Sequence, residues 1–478
     1  MRNKLLIALC ILCCYTTFAQ TGTAKDIFIT SPYLQIGNAT IVQSLQLLWH
    51  AADSTANWQV EYKTIENTKW IKSEKPAATA INIAGANPYA VYQTTLKQLT
   101  AGNTFTYRVL KNNKEVFTAQ ATAPKSADQP FRFVASGDMG AGTAEARQIA
   151  NGMYAAHPDF VTISGDIVYD YGLASEYKTK FWPIYNSDKI DSIGVPLMRS
   201  VPFIAAVGNH DADTRDLDKY PDALAYYLFW DQPLNGPIGK EGGAYVPMLK
   251  GSEVNKKAFL DGAAERYPRM TNFSFNYGNA HYTVLDADTY VDWTDKELTD
   301  WVAKDLADAK DAVWRFVIYH HPGFSSSVDH FEQQQMRLLA PVFEKGKVDV
   351  VLTGHVHNYQ RSYPMFFAPD KKGTLLVGGK DNKTIRGRVV NGRWTLDKPF
   401  DGKTNTHPKG VIYIVTGAGG QSLYNPEQEN DTDSWQKFTN KFISTQHSFT
   451  VIDVNGKNIT VRQLNAGGKE LDKFEISK

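Results

Sequence analysis

Cysteine is scarce in this sequence of 478 residues, and the three that occur, Cys10, Cys13 and Cys14, all lie near its start. A chain cleaved after residue 19 would therefore contain none. That excludes disulfides, iron–sulfur clusters and thiolate zinc sites from the remainder. Any transition metal bound there must be held by His, Asp, Asn or Tyr side chains.

The first 19 residues have the pattern of a secretory signal peptide. Arg2 and Lys4 precede an apolar run over 5–14, and Ala19 ends a small-residue cleavage site before Gln20. The run is too short to anchor the chain across a bilayer of roughly 30 Å. A lipoprotein signal, which needs a small residue directly before the cysteine, is the less favoured alternative. The pattern predicts cleavage after about Ala19, a secreted or periplasmic location, and no membrane span in the mature chain.

The chain also lacks an excess of charge of either sign. Removing Arg2 and Lys4 from its 51 basic residues leaves 49 against 50 acidic ones. Such a balance gives no bulk electrostatic reason to bind nucleic acid or an anionic membrane. Hydrophobic residues make up 42% of the chain, which is normal for a soluble globular protein, and the length predicts two or more domains.

Two kinds of periodicity divide the chain. Residues 27–123 alternate apolar and polar side chains over several short segments, which predicts an all-β sandwich. Residues 131–352 alternate strand-like with helix-like segments, which predicts a layered architecture with largely parallel strand pairs. A small, polar segment from 121 to 130 is a plausible linker between the two.

Two further segments each allow two interpretations. The aromatic stretch 212–272 is either a lid or substrate wall, or mostly packing with one functional edge, and the second interpretation is favoured. Residues 371–409 hold ten Lys and Arg against three Asp, and we interpret them as a solvated insertion rather than an anion-guiding surface. Within them, Asn391-Gly392 predicts a hairpin between 388–390 and 393–395.

Five short motifs place metal-ligating side chains directly after apolar runs. They are Gly137-Asp138-Met139-Gly140, Gly165-Asp166-Ile167-Val168-Tyr169, Gly208-Asn209-His210-Asp211, Val317-Ile318-Tyr319-His320-His321 and Gly354-His355-Val356-His357. Each motif alone is more often a turn or a structural side chain. The ends of neighbouring strands converge, however, so distant motifs can meet. Carboxylate, amide and imidazole groups suit hard and borderline cations, and the five together predict a site for two metal ions.

These motifs resemble those of the purple acid phosphatases, within the calcineurin-like metallophosphoesterase superfamily. In the wider superfamily the first motif normally ends in a histidine ligand, whereas this chain has Gly140 there. Tyr169, three residues after Asp166, offers the missing donor. The purple enzymes make the same exchange and bind Fe(III) through the tyrosinate. A trivalent cation favours the phenolate of tyrosine, whose free pKa is about 10.

The resemblance covers about 130–475 and implies an α+β protein, with an αββα catalytic domain of two mixed β-sheets flanked by helices. It also implies two ligand sets that share one carboxylate. The first set is Asp138, Asp166, Tyr169 and His357. The second set is Asp166, Asn209, His320 and His355. The implied cofactor is Fe(III) with a divalent Zn, Fe or Mn ion, since these ligands suit all three.

Two histidines outside the ligand sets are also implied by the resemblance. His210 matches the histidine that contacts phosphate or the leaving group, and His330, ten residues after His320, falls where plant-type members carry a second one. A surface histidine is the alternative for His330. A cationic histidine could stabilise phosphate charge or protonate the departing alkoxide. The stretch 99–109 resembles the end of a fibronectin type III domain, with Phe105 in place of the usual tyrosine.

The function implied is an acid phosphatase that hydrolyses monoesters of small phosphorylated substrates, by in-line attack of a metal-bound hydroxide. A phosphodiesterase or nucleotide pyrophosphatase of the same superfamily would share the ligands and differ in the pocket wall. A surface binding module with an inactive phosphatase domain is an alternative of another class. The intact ligand set argues against that alternative.

Overall fold

The computed structural model describes residues 27–38, 43–52, 56–64, 69–378 and 382–478. The predicted signal peptide and the three cysteines lie outside the described residues. In this part of the chain, no helix has the length and apolar character needed to cross a membrane.

Eight strands at the start of the described chain form two antiparallel four-stranded sheets. They are β1 (Thr30–Gln35), β2 (Leu45–Ala51), β3 (Trp58–Thr64), β4 (Ile71–Lys72), β5 (Ala77–Ile81), β6 (Tyr89–Leu96), β7 (Thr104–Lys111) and β8 (Lys114–Thr122). One sheet has the order β1-β2-β6-β5 and the other β4-β3-β7-β8. The two share one core, in which Trp49 lies edge-on to Trp58 with ring centroids 5.5 Å apart. The predicted N-terminal all-β region is confirmed.

The remaining strands build two large sheets and two hairpin-like pairs. They are β9 (Phe131–Ser136), β10 (Phe160–Ser164), β11 (Phe203–Ala206), β12 (Phe273–Tyr277), β13 (Ala280–Val284), β14 (Trp314–Ile318), β15 (Val350–Thr353), β16 (Tyr359–Ser362), β17 (Met365–Pro369), β18 (Thr374–Gly378), β19 (Thr384–Val389), β20 (Gly392–Leu396), β21 (Ile412–Thr416), β22 (Thr439–Ile443), β23 (Ser448–Asn455), β24 (Asn458–Asn465) and β25 (Glu470–Ser477). A six-stranded sheet has the order β11-β10-β9-β23-β24-β25. A seven-stranded sheet has the order β12-β13-β14-β15-β21-β16-β22.

The two large sheets pack face to face. Phe133 of β9 lies edge-on to Phe316 of β14, with ring centroids 5.2 Å apart, within an apolar core that both sheets contribute to. Strands β9 to β11 are parallel to one another, and so are β13, β14, β15 and β21. Antiparallel strands complete both sheets, so the pairing is mixed rather than largely parallel.

Helices cover the outer faces of these sheets. The α-helices are α1 (Ala144–Ala155), α2 (Ala174–Glu176), α3 (Trp182–Tyr185), α4 (Asn209–Ala212), α5 (Ala225–Phe229), α6 (Glu253–Ala263), α7 (Arg266–Arg269), α8 (Lys296–Asp308) and α9 (Ala340–Lys345). A π-helical turn covers Tyr177–Phe181, and 3₁₀ turns cover Gln335–Leu339, Pro426–Asn430 and Thr432–Ser434. Helix α1 contacts β23 and α8 contacts β13. The predicted α+β class with αββα layering is confirmed.

Segment 212–272 is mainly packing. Tyr226, Tyr227 and Trp230 are buried within it. The sandwich docks against this region, since the Tyr33 hydroxyl donates to the carbonyl of Phe229 at 2.8 Å. The segment therefore packs against the sandwich, in agreement with the interpretation that it is mostly packing.

The hairpin predicted at Asn391-Gly392 is wrong. Strand β19 pairs with β18, whereas β20 pairs with β17, so the strands on either side of Asn391 belong to different sheets. Trp394 lies opposite Phe367 across the β17–β20 pair, with stacked rings 6.3 Å apart. This aromatic cross-strand contact outweighs the local turn preference of Asn-Gly.

A buried ion pair links the two large sheets, and it provides a test of their packing. Arg361 Nε of β16 donates to Asp472 Oδ2 of β25 at 2.7 Å, and both side chains are nearly buried. Asp472→Ala would leave the arginine without its partner, so we expect the free energy of unfolding to fall by about 3 kcal/mol in a denaturant titration. The exposed neighbour Lys473 is the control, and Lys473→Ala should change the free energy of unfolding by less than about 0.5 kcal/mol. Equal unfolding midpoints for the two variants would contradict this.

Candidate metal centre

The predicted donors lie where strands of both large sheets end. Asp138 follows β9, Asp166 follows β10 and Asn209 begins α4 after β11. From the other sheet, His320 follows β14 and His355 follows β15. Because all five strands run in the same sense within their sheets, their carboxyl ends meet at one edge of the double layer.

A first group of donors surrounds Tyr169. Its hydroxyl donates to Asp138 Oδ1 at 2.8 Å and lies 3.3 Å from His357 Nε2. His357 Nε2 is itself 3.3 Å from Asp138 Oδ1. All three side chains are buried. A cation among these atoms could replace the proton that Tyr169 shares with Asp138.

A second group of donors surrounds His320. Its Nε2 lies 3.2 Å from Asp166 Oδ1 and 3.2 Å from Asn209 Oδ1. One donor atom each from Asp166, His320 and His355 lie within 4.8 Å of one another, and all three residues are buried. Nitrogen and oxygen donors at this spacing fit a borderline or hard cation.

Asp166 lies between the two groups. Its carboxylate faces His320 on one side, and it also interacts with the Tyr169 hydroxyl. Burial, with the charges of Asp138 and Asp166, raises the pKa of Tyr169 well above its ordinary value. Burial disfavours a charged His320, but the Asp166 carboxylate outweighs it and raises the pKa of His320 to about 9. The negative potential of the centre therefore attracts positive charge.

Hydrogen bonds to the backbone orient two of the imidazoles. His320 Nδ1 donates to the carbonyl of Ser164, and His357 Nδ1 donates to that of Ser422, both at 2.7 Å. Each Nε2 faces the centre and can bind a cation once it loses any proton it carries, which is how histidine ligands are commonly held.

His355 has the opposite orientation. Its Nε2 contacts the side-chain oxygen of Gln333, so Nδ1 is the atom left for the centre. Its backbone N–H donates to Asp138 Oδ2 at 2.9 Å. Sequence analysis missed Gln333, because a glutamine after a loop histidine has no recognisable motif.

Three of the predicted donors have a left-handed backbone. The φ angle is 60° at Asp138, 51° at Asp166 and 66° at His355. Such values are uncommon for residues other than glycine, and they concentrate at functional sites. In each motif the residue before the donor is glycine, which leaves room for the tight turn.

Gly140 and Tyr169 are linked through the backbone. A Cβ atom at position 140 would lie 1.9 Å from the carbonyl oxygen of Ile167. The Tyr169 N–H donates to the carbonyl of Gly140 at 3.2 Å. The loop that carries Tyr169 into the centre therefore occupies the space that a side chain at 140 would need, which gives the predicted exchange of histidine for tyrosine a physical basis.

Both predicted outer histidines lie beside the donors. His210 Nδ1 donates to the carbonyl of Asp170 at 2.7 Å, and its Nε2 lies 3.9 Å from Asp166 Oδ2. Burial opposes a charged His210, but Asp166, the Asp170 carbonyl and Asp211 together outweigh burial and raise the pKa of His210. The His330 ring lies 4.1 Å from that of His355, centroid to centroid, and burial lowers the pKa of His330.

Asp211 is a further residue of the centre to which sequence analysis gave no role. It is buried and accepts hydrogen bonds from the N–H groups of Ile167 at 3.2 Å and of Gly208 at 2.9 Å. Asp211 thus ties the loop after β10 to the loop after β11. The sequence did offer one indication of a role for Asp211, namely its position directly after Asn209 and His210 in the third motif.

A cavity of about 780 Å³ opens beside the second donor group. Its lining includes Asn209, His330 and His355 together with Ile385 and Arg386 of β19. Part of the insertion 371–409 therefore faces the centre, and the description of that insertion as merely solvated is incomplete.

Comparison with known proteins agrees with this arrangement. Residues 131–359 match the family model for the calcineurin-like phosphoesterases. The chain carries a calcineurin-like metallophosphoesterase domain. This domain includes all the predicted metal donors, from Asp138 to His357.

Several relatives are purple acid phosphatases by name. "Probable inactive purple acid phosphatase 27" of Arabidopsis thaliana is 25% identical over 367 residues, which is 68% of this chain and 54% of that protein. A purple acid phosphatase of Glycine max is 24% identical over 380 residues, 74% of this chain and 72% of that protein. The chain spans about half the length of the first curated relatives it matches.

A solved structure shows the same fold. The purple acid phosphatase from yellow lupin (Lupinus luteus) seeds matches with a TM-score of 0.64, over 93% of this chain and 74% of that chain, at 18% identity. The resemblance to the purple acid phosphatases is confirmed.

The link between Gly140 and Tyr169 can be tested by adding one methyl group. Gly140→Ala would force the backbone around Ile167 to move, so we expect a loss of about 1–3 kcal/mol in the free energy of unfolding. Gly467→Ala is the control, because a Cβ there would meet its nearest neighbour at 3.5 Å. Thermal unfolding of both variants measures the difference. If Gly140→Ala left the free energy of unfolding unchanged, the close approach of position 140 to Ile167 would not constrain the loops.

Proposed function

We propose that this protein is an acid phosphatase that hydrolyses phosphate monoesters at a dinuclear centre of Fe(III) and a divalent Zn, Fe or Mn ion. One observation carries the proposal: two groups of buried donors share Asp166 and lie beside an open cavity. Such a pair of sites is suited to binding phosphate between two cations.

We assign the donors as the sequence motifs suggest. The first metal would be bound by Asp138, Asp166, Tyr169 and His357. The second would be bound by Asp166, Asn209, His320 and His355. The phenol of Tyr169 supports Fe(III) in the first position, since a trivalent cation compensates both carboxylates and favours the phenolate.

When bound, the two ions would lower the pKa of water for attack on phosphorus and neutralise charge on the phosphate. The chain's own residues would orient the substrate and move the proton. The Asp170 carbonyl fixes the Nδ1–H of His210, so Nε2 is directed toward the centre. His210, or His330 on the cavity side, would stabilise the phosphate and protonate the leaving alkoxide.

Some relatives are named as inactive. The alternative to an active enzyme is therefore a binding module with an inactive phosphatase domain. Against it, every predicted donor is present, and hydrogen bonds hold the imidazoles of His320, His355 and His357 toward one centre. We also propose that the protein is exported, on the basis of the signal-peptide pattern over 1–19.

Metal-dependent turnover is the direct test. The purified protein should release phosphate from 4-nitrophenyl phosphate, contain two metal ions and lose activity after treatment with a chelator. Asp166→Asn removes the shared negative charge, so we expect kcat/KM to fall by at least about 100-fold and metal content to drop. Asp300→Asn, on an exposed stretch of α8, is the matched control and should retain both the activity and the metal content. Turnover that persists without metal would contradict the proposal.

The role of Tyr169 has a spectroscopic test. The oxidised protein should be purple, because a tyrosinate bound to Fe(III) gives a charge-transfer band in purple acid phosphatases. Tyr169→Phe removes the phenol and should abolish the band in the visible spectrum. Tyr424→Phe is the control, since its ring stacks on His357 with centroids 4.0 Å apart but its hydroxyl is outside both donor groups. Colour retained in Tyr169→Phe would refute the assignment.

A further inference from the structure

The hairpin of β18 and β19 brings a cation to the mouth of the cavity. Ile385 and Arg386 line the cavity together with His330 and His355. Among the described residues of this lining, Arg386 is the one lysine or arginine. A guanidinium keeps its charge at any physiological pH and binds carboxylate or phosphate through two parallel hydrogen bonds.

Two glutamines fix the position of this hairpin. The Gln334 N–H donates to the carbonyl of Arg388 at 2.9 Å, and Gln333 Nε2 donates to the carbonyl of Arg386 at 3.2 Å. The same Gln333 side chain contacts His355 Nε2 through its oxygen. A single amide therefore spans the gap between a candidate metal ligand and the backbone of Arg386, which sets the distance from the centre to the arginine.

The present partner of Arg386 is easily displaced. Its Nη2 lies 3.3 Å from Glu332 Oε2, and the two side chains are 59% and 54% exposed. Exposed ion pairs of this kind contribute little to stability. The other carboxylate of the lining, Asp213, ends the helical turn that begins at Asn209 and so lies toward the metal end. An anionic group that enters at the hairpin end would meet Arg386 first.

We propose that Arg386 is a specificity-determining residue that binds a second anionic group on the alcohol part of the substrate. The inference rests on the proposed function, because it assumes that the ester phosphate is held at the metal centre. The substrate class is then phosphate monoesters whose alcohol carries a further carboxylate or phosphate. Glu332 holds the guanidinium at the cavity wall until such a substrate replaces it.

Three substrates of similar size test this proposal on the metal-loaded protein. Glycerol 3-phosphate has a neutral alcohol, 3-phosphoglycerate adds a carboxylate and glycerol 1,3-bisphosphate adds a phosphate. The unmodified protein should have a higher kcat/KM for at least one of the two doubly anionic esters, and the comparison tells which anion is preferred. Arg386→Gln should raise the KM for that ester by about tenfold, the size expected for one charge-assisted hydrogen bond. The KM for glycerol 3-phosphate should change by less than about twofold.

Two further variants separate specific contact from general charge. Arg386→Lys retains the charge and should recover part of the preference. Arg393→Gln removes an exposed arginine from the neighbouring strand β20, outside the cavity lining, and should leave all three KM values unchanged. Equal losses in Arg386→Gln and Arg393→Gln, or no preference in the unmodified protein, would overturn the inference alone. Failure of the unmodified, metal-loaded protein to hydrolyse any of the three esters would overturn the proposed function as well.

Discussion

The centre depends on a close approach between backbone segments that follow strands of two different sheets. A Cβ atom at Gly137 would lie 3.0 Å from the Cα of Gly354, and one at Gly354 would lie 2.8 Å from Asp138 Oδ2. Side chains at these positions would push the sheets apart and separate the donors. Because protein interiors are densely packed, the neighbouring residues have no empty space into which they could move. The glycines of the motifs therefore matter as much as the donors beside them.

This packing concentrates buried negative charge. The carboxylates of Asp138 and Asp166 lie together away from solvent, and charges in such a position are costly unless they are compensated. Positive charge on His320 compensates part of it, which is the physical meaning of its raised pKa. Bound cations would compensate it more completely, so metal binding and folding stability should be coupled at this centre.

The convergence of the candidate donors could be predicted from sequence, because each belongs to a short motif that follows an apolar strand. Gln333 and Arg386 could not, since their contacts join loops that are distant in sequence, whereas Asp211 had its position in the third motif as a signal. Local signals also failed where another contact competed. Thr294 and Glu297 have the spacing of a capping box, but the Asp295 side chain accepts the hydrogen bond from the N–H of Leu298 at 3.0 Å and begins α8 instead.

The candidate metal donors and much of the cavity wall come from different parts of the chain. The donors follow strands of the two large sheets, whereas much of the cavity wall comes from the loop that carries Val328, His330 and Gln333 and from the β18–β19 hairpin. Enzymes that share a catalytic centre differ in their substrates through such loops. Here Gln333 contacts both His355 and the hairpin. Under the proposed function, a change in the hairpin would therefore alter which alcohol is accepted, and through Gln333 it would also change the orientation of a candidate metal ligand.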